Sequence, residues 1–360
     1  MKAANGRRWA GFGPSRFLSG FRSGFPFGSL SGLLPILLST ALVPTAHAGD
    51  CRWQERLDFS LIHDSNVFET VSATRNDLAG RLHATFAGSC HPSTGLYIAL
   101  DYNGGLEIYS RYSEESRLVN SLRARLDGRL GSRFTAGVTC HGREKLYFQA
   151  TRGFSVYRAL PHLTLAASDR FRTRLFGIFS WLDHDQGVYF DFQQIGIGLA
   201  LEQTFSEQLL GKLQFTLGES EFNRAAVAYE PLLPEEYPWL TLAEKQTDNR
   251  REAMAALEFY GWALLQCDVS YATNRSNAYG YAYNLWKTRV LLVKTLPWDL
   301  TLRLYWTALY KEYTEDLEPL LQVRPDTENE ENSHTLVDLS RDLGRAYSLR
   351  IRLGWYRNES

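Results

Sequence analysis

Residues 118–130, LVNSLRARLDGRL, separate into two faces when every second residue is grouped together. One face carries the apolar residues Leu118, Leu122, Ala124, Leu126 and Leu130, and the other carries the charged residues Arg123, Arg125, Asp127 and Arg129. A helix would mix these two sets, whereas a strand keeps them apart. The charged face is too polar for a protein core, but lipid on one side and a water-filled lumen on the other suit both faces. The stretch therefore predicts a strand of a transmembrane β-barrel.

The composition of the whole chain points to the same class. The 360 residues have a mean hydropathy of −0.29, which is too polar for a protein that crosses a membrane with helices. Aromatic residues make up 13% of the chain. Low hydropathy with many aromatics is typical of barrels, because lipid-facing and lumen-facing residues cancel in any average. The formal net charge of −1 gives no basic excess, so we expect no nucleic-acid binding.

The first 48 residues have the pattern of a secretory signal peptide. A basic segment without acids, from Arg7 to Arg22, precedes the apolar run 33–43, and Ala46-His47-Ala48 matches a small-residue cleavage site. A membrane anchor is the alternative, but the apolar run is shorter than the roughly 20 residues that a helical span needs. We predict a signal peptide at residues 1–48 and an exported barrel at residues 49–360, placed in the bacterial outer membrane.

Segments with the same alternation recur from residue 53 to residue 357, joined alternately by short turns and longer polar loops. The largest loops are expected at residues 231–249 and 315–332. This pattern predicts an all-β, antiparallel, up-and-down barrel. We count about 15 segments, whereas bacterial single-chain barrels have an even number of strands. Either one segment is divided wrongly or a last strand is missing from this sequence, so we expect 14 or 16 strands in the functional protein.

Two motifs at the ends of this region resemble the β-barrel porins of Gram-negative outer membranes. Asp64-Ser65-Asn66-Val67-Phe68 is similar to the D-[SD]-N-V-[FY] motif that opens such barrels, and residues 347–358, YSLRIRLGWYRN, are similar to their penultimate strand. The resemblance extends from about residue 53 to the C-terminus, and it implies the barrel architecture without naming a solute. Glu359-Ser360 does not match the terminal aromatic strand of these porins. The chain has no tetratricopeptide repeats and is less similar to the export barrels that carry them.

Charged residues of both signs are expected to face the lumen. The predicted lumen-lining residues are Arg81, Arg123, Arg125, Arg129, Arg143, Arg289, Arg303, Arg350, Arg352, Asp101, Glu107, Asp127, Glu202, Glu258 and Asp268. One interpretation is a charged constriction that filters solutes. The alternative, which the sequence favours, is a wall of solvated or mutually paired charges such as any barrel contains.

Enzyme chemistry has weaker support in the sequence. Asp183-His184-Asp185 lies at a strand end beside a loop, like the acid–histidine sites of outer-membrane proteases, and His63-Asp64-Ser65 contains hydrolase residue types. However, His63 and Asp64 point to opposite faces of a strand and cannot act together. The sequence contains no G-x-S-x-G, H-E-x-x-H or C-x-x-C motif. We therefore predict that the chain is not an enzyme and needs no cofactor or metal.

The cysteines predict one disulfide, between Cys51 and Cys90. Cys51 precedes the first strand and Cys90 follows the second, so an antiparallel hairpin brings them together at the periplasmic rim. The compartment outside the inner membrane is oxidising and favours bridged cysteines. The alternative is that both are unpaired, because strand boundaries are uncertain by about two to four residues. Cys140 and Cys267 fall within strands and are expected to be small lipid-facing residues.

Three functions are compatible with such a barrel. A diffusion porin for small solutes is the leading hypothesis, a dedicated exporter or receptor is the second, and a structural barrel with a plugged lumen is the third. The expected partners are outer-membrane lipid and, during insertion, the barrel-assembly machinery. Association into a homo-oligomer is an open alternative.

Overall fold

The computed structural model describes residues 51–64, 76–149, 153–184, 191–229, 239–315, 331–342 and 348–359. The predicted signal peptide at residues 1–48 lies outside these residues. Fifteen strands are present: β1 Cys51–Asp64, β2 Asp77–Ser93, β3 Leu96–Tyr109, β4 Arg117–Leu130, β5 Phe134–Tyr147, β6 Phe154–Ala166, β7 Phe171–His184, β8 Phe192–Ser206, β9 Leu209–Tyr229, β10 Trp239–Tyr260, β11 Leu264–Ser276, β12 Tyr283–Leu296, β13 Leu300–Tyr313, β14 Glu331–Asp342 and β15 Ser348–Glu359. Short 3-10 turns occur at Ser113–Glu115 and Pro297–Asp299.

All strands belong to one sheet in sequence order from β1 to β15, and each strand pairs antiparallel with the next. The predicted all-β, up-and-down antiparallel architecture is confirmed. The described residues form 15 separate strands, which agrees with the count of about 15 segments and does not support the alternative that one segment is divided wrongly. No helix within the described ranges is long and apolar enough to cross a membrane.

The sheet has an apolar outer face and a polar inner face. Within β4, Leu126 is 45% exposed on the outer face, whereas its neighbour Asp127 on the inner face is only 6% exposed. Many large apolar side chains, mostly Leu, Ile, Phe and Trp, are exposed, whereas more of the buried residues are polar or charged than apolar. This distribution is the reverse of that in a soluble sandwich, whose apolar faces pack against each other. An apolar exterior around a polar lumen accounts for it.

The connections alternate as the sequence predicts. Short turns follow the even-numbered strands from β4 to β12, and Gly131 of the β4–β5 turn adopts a left-handed conformation with φ of 82°. We call this the turn end of the sheet and the opposite one the loop end. In the β12–β13 turn, Trp298 and Asp299 also have positive φ, at 64° and 57°, which is uncommon for residues with side chains.

The outer face is interrupted by polar side chains near the loop end. The Tyr102 hydroxyl donates to Asn120 Oδ1 at 2.9 Å, and the Tyr157 hydroxyl donates to Glu144 Oε1 at 2.9 Å. Both acceptor residues are buried. Because buried polar groups must be hydrogen-bonded, these tyrosines allow polar residues to lie at the edge of the apolar band.

The hairpin of β9 and β10 extends further than the sequence predicts. Residues 231–249 are expected to form a loop, but β10 already begins at Trp239 and pairs with β9 through two register irregularities. In this extension Lys245 Nζ lies 2.7 Å from Glu221 Oε1, and Arg224 Nε donates to Gln246 Oε1 at 2.8 Å. Polar residues occupy both faces here, so the period-two contrast that marks the other strands is missing.

A disulfide joins Cys51 and Cys90, which are directly paired in the β1–β2 ladder with Cα atoms 4.1 Å apart. Cys140 and Cys267 are free. The bridge links the first strand to the second at the turn end. It closes a segment with a sequence separation of 39, and such bridges stabilise proteins by roughly 2–4 kcal/mol.

The disulfide predicts the thiol content of the purified protein. After denaturation without reductant, we expect a maleimide reagent to label Cys140 and Cys267 only. Reduction before labelling should add Cys51 and Cys90. Labelling of all four cysteines without reductant would show that the bridge does not form.

Candidate functional site

The inner face is the candidate functional site. The strand registers place every predicted lumen-lining residue on this one face, as the alternation requires. The positions lie on ten strands, from Arg81 on β2 to Arg352 on β15. The registers also show which charged residues are neighbours. They divide the inner face into regions of paired charges and a region where positive charges dominate.

Part of the inner face consists of paired charges. Glu107 contacts both Arg81 and Arg117, with its Oε2 2.7 Å from Arg117 Nε. On β11 and β12, Arg289 Nε lies 2.8 Å from Asp268 Oδ1. In these regions the alternative of a mutually paired wall describes the inner face correctly.

Asp338 on β14 forms the most buried of these groups. Its carboxylate is 1% exposed and accepts hydrogen bonds from Arg350 Nε at 3.0 Å and Arg352 Nε at 3.1 Å. Both arginines lie on β15, and Arg303 of β13 is the direct register partner of Asp338 on its other side. One buried carboxylate therefore binds two guanidinium groups of β15, and a third arginine occupies the paired position on β13.

The inner face of β4–β7 is different, because cations dominate it. We define the basic wall as Arg123, Arg143, Arg158, Arg172 and Arg174. Among the described residues none of these five forms an ion pair, and Asp127 is the only acid on the inner face of these four strands. The wall carries a local excess of positive charge that its own side chains do not neutralise.

Three basic residues of adjacent strands form a row across the wall. Arg123 pairs in register with His141, and His141 pairs with Arg158. Arg158 Nε donates to Ser180 Oγ at 3.1 Å on the next strand. Neighbouring strands are about 4.8 Å apart, so Arg123 and Arg158 stand roughly 10 Å from each other. This spacing places two positive charges on the same side of the lumen.

A second basic group lies one step closer to the turn end. Asp127 Oδ2 is 2.6 Å from an Arg125 nitrogen, and Asp127 Oδ1 is 3.1 Å from the buried His162 Nε2. Arg174 lies within electrostatic reach of Arg125 and Asp127, and its Nε is buried without a hydrogen-bond partner. A buried guanidinium nitrogen without a partner favours an anion beside it.

The sequence did not identify Arg117, Arg158, Arg172, Arg174 or His162 as members of the inner face. On β6 and β7 the inner positions also include Leu160, Phe176 and Ile178, so the alternation is weak. Pro161 interrupts the β6–β7 ladder, because its ring nitrogen carries no hydrogen. The only available signal was the period-two spacing of Arg172 and Arg174.

Among the described residues, those that suggested catalysis do not come together. Asp183 and His184 are consecutive on β7 and therefore face opposite sides of the sheet, and Asp185 lies outside the described residues. Ser65 of the other candidate triplet also lies outside them. In the described part of the chain, no group of His, Cys, Asp and Glu could hold a metal ion.

No protein-family model matches the sequence, and no curated protein matches it. Solved structures of proteins from two organisms match the chain. Acinetobacter baumannii OccAB3 is 10% identical, with 86% of this chain and 94% of that chain covered and a TM-score of 0.41. OccAB1 of the same organism is 10% identical, with 88% and 92% covered and a TM-score of 0.44. Pseudomonas aeruginosa OccK10 (OpdN) is 11% identical, with 86% and 93% covered and a TM-score of 0.36. At such low identity the likeness concerns the arrangement of strands and not the side chains of the inner face.

Proposed function

We propose that this protein is an outer-membrane porin-like barrel that lets small solutes pass through a polar lumen, with a preference for anions. The basic wall carries the proposal. A row of unpaired arginines along one side of a wet lumen attracts anions and repels cations over about one Debye length, roughly 8 Å at physiological ionic strength.

Membrane placement follows from the dimensions and chemistry of the strands. Strands such as β4 and β5 have 14 residues. At about 3.4 Å per residue and a tilt of roughly 40°, they span more than the ~25 Å apolar band of such barrels. Exposed Leu, Phe and Trp side chains supply the lipid-facing surface. Outer-membrane lipid and the barrel-assembly machinery are accordingly the partners that we propose, and homo-oligomer formation stays open.

The paired regions of the inner face support passage rather than specific capture. Arg81 and Arg117 share the carboxylate of Glu107, and Arg289 pairs with Asp268, so each of these arginines has an acidic partner. The largest group of inner-face arginines without an ion pair among the described residues lies on β4–β7. Such an uneven distribution of charge favours the passage of anions over cations, and it does so without an enclosed binding site.

Planar-bilayer recording tests the proposal. Purified refolded protein should give discrete conductance steps, and a KCl gradient should give a reversal potential of the sign expected for chloride preference. Folded protein that inserts but gives no conductance would favour the structural barrel with a plugged lumen. Conductance that appears only with a periplasmic or inner-membrane partner would favour the dedicated exporter.

A further inference from the structure

Two exposed arginines interrupt the apolar outer face near the loop end of β10 and β11. Arg251 is the register partner of Leu217 on β9, and Leu217 is 55% exposed on the outer face. Arg275 is the register partner of Asn249, which lies two residues before Arg251 and therefore shares its face. Within the described ranges neither arginine forms an ion pair. Both positive charges therefore point away from the lumen and have no acidic partner.

The two arginines lie at the depth of lipid headgroups. The adjacent outer-face row toward the turn end contains Tyr271 and Trp286, with ring centroids 4.6 Å apart, and the exposed Tyr310. Aromatic side chains of this kind mark the boundary of the hydrocarbon region. Arg251 lies one row beyond them, about 7 Å along the strand, and Arg275 lies one row further. Charged side chains at this level meet the headgroups and not the acyl chains.

A groove of about 690 Å³ lies beside these arginines. Ile195, Ile197 and Leu217 line its apolar part, and Arg251 and Arg275 line its basic part. Apolar and basic walls in one groove suit a ligand that is itself amphipathic.

Small side chains continue the groove toward the middle of the apolar band. On the outer face, Ala253 of β10 lies between Phe215 of β9 and Tyr271 of β11, and the next outer position of β10 is Ala255. A methyl group between larger side chains leaves a shallow furrow in the surface. The furrow begins beside Arg251 and has the direction that the acyl chain of a bound lipid would take.

The charges around the groove favour a phosphate. Arg251 and Arg275 are diagonal neighbours on adjacent strands, with Cα atoms roughly 7–8 Å apart, and guanidinium groups bind phosphate in a bidentate manner. Glu219 also lines the groove, so the outer-face charge there is one net positive charge. Further from the apolar band, Lys245 Nζ lies 2.7 Å from Glu221 Oε1, and these two charges neutralise each other.

We propose that this groove binds one phosphorylated lipid of the outer leaflet. Arg251 and Arg275 bind the headgroup phosphate, and the apolar wall and the alanine furrow hold an acyl chain. The whole apolar band contacts lipid, but here phosphate-binding groups lie directly above a groove. The inference rests on the membrane placement proposed above and does not depend on which solute passes through the lumen.

Native mass spectrometry of the refolded protein in dodecyl maltoside micelles tests this site with three probes. The probes are lipid A that carries both phosphates, the same lipid A without its phosphates, and inorganic phosphate. We expect the wild-type protein to retain one molecule of the phosphorylated lipid, roughly tenfold more strongly than the dephosphorylated one. Excess inorganic phosphate should not displace the lipid, because it cannot occupy the apolar wall.

A charge-reversal variant and a matched control locate the site. Arg251→Glu with Arg275→Glu should weaken retention of the phosphorylated lipid roughly tenfold or more. Lys294→Glu with Arg341→Glu makes the same change of charge on the outer face at the turn end and should retain the lipid as the wild type does. Heat-modifiable migration in gels shows that each variant is folded. The comparison of the two lipids on the wild-type protein needs no variant.

Four results would overturn the proposal. Equal retention of both lipids by the wild type would mean that phosphate is not recognised, and equal retention by the charge-reversal variant and the control would place the lipid elsewhere. Displacement by inorganic phosphate would assign the arginines to a free anion. A dimer that excludes the lipid would assign the groove to a second copy of the chain. Bilayer conductance of the same variants reports on the lumen, so failure of the lipid site and failure of the porin function are distinguishable.

Discussion

Replacing Arg123 and Arg158 together with glutamate is expected to abolish or reverse the anion preference. At about 8 Å in water a unit charge changes the energy of an ion by about 0.5 kcal/mol, so reversing two charges shifts it by about 2 kcal/mol before screening. Screening at 0.1 M salt acts over about 10 Å and reduces this shift. We expect the chloride-to-potassium permeability ratio to fall roughly three- to tenfold, measured from reversal potentials in a KCl gradient.

The matched control keeps the positive charge at both positions and replaces the guanidinium groups with ammonium groups. Arg123→Lys with Arg158→Lys preserves both positive charges and should preserve the preference. Neither arginine forms an ion pair within the described residues, so neither variant strips a carboxylate of its partner. An unchanged ratio in the glutamate variant, with normal membrane assembly, would show that the basic wall does not set selectivity. The effect should also shrink in 1 M salt, where the Debye length is about 3 Å.

Sequence periodicity predicts the fold wherever one face meets lipid and the other meets water. β4 is the clearest case, since its leucines and its charges separate completely. The prediction fails for the upper part of β9 and β10, where Glu221 and Lys245 form an ion pair in a polar region of the hairpin. A strand with water on both sides has no amphipathic pattern, so the same residues suggest a loop.

The charges of the inner face could be predicted, but their partners could not. Arg352 was expected to line water, and in the structure it donates to Asp338 on the neighbouring strand. That contact depends on the β14–β15 register, which a single sequence does not determine. By contrast, Arg125 and Asp127 are two residues apart on one strand, and this spacing already places them on the same face.

Arginines that form ion pairs and arginines that do not are expected to have different roles, the first in stability and the second in ion selectivity. The arginines of the basic wall on β4–β7 form no ion pair within the described residues, although Asp127 and Glu202 lie within electrostatic reach of Arg174, so their removal should change ion flow more than folding. Arg350 and Arg352 are held by a buried carboxylate, so their region should matter for assembly. Substitutions in the basic wall should therefore change ion selectivity more than stability, and substitutions around Asp338 should change stability more than selectivity.

Asp338→Ala is expected to destabilise the barrel strongly. The substitution removes the acceptor for two charged hydrogen bonds, each worth about 1.5–3 kcal/mol when its acceptor is buried. It also leaves Arg350 and Arg352 close together without their shared carboxylate. Because these guanidinium groups are partly exposed to water, we expect a net loss of about 2–4 kcal/mol in the free energy of unfolding.

Urea unfolding of the protein in lipid vesicles measures this loss, and two comparisons identify its cause. Asp268→Ala removes the carboxylate partner of Arg289, whose own side chain is 42% exposed, and should cost no more than about 1 kcal/mol. Adding Arg352→Leu to Asp338→Ala should recover part of the lost stability, because it removes one of the repelling charges. High salt should help for the same reason, since it screens like charges. If Asp338→Ala unfolds at the same urea concentration as Asp268→Ala, then the carboxylate does not hold β15 to β14, and β15 must owe its place to its backbone pairing with β14.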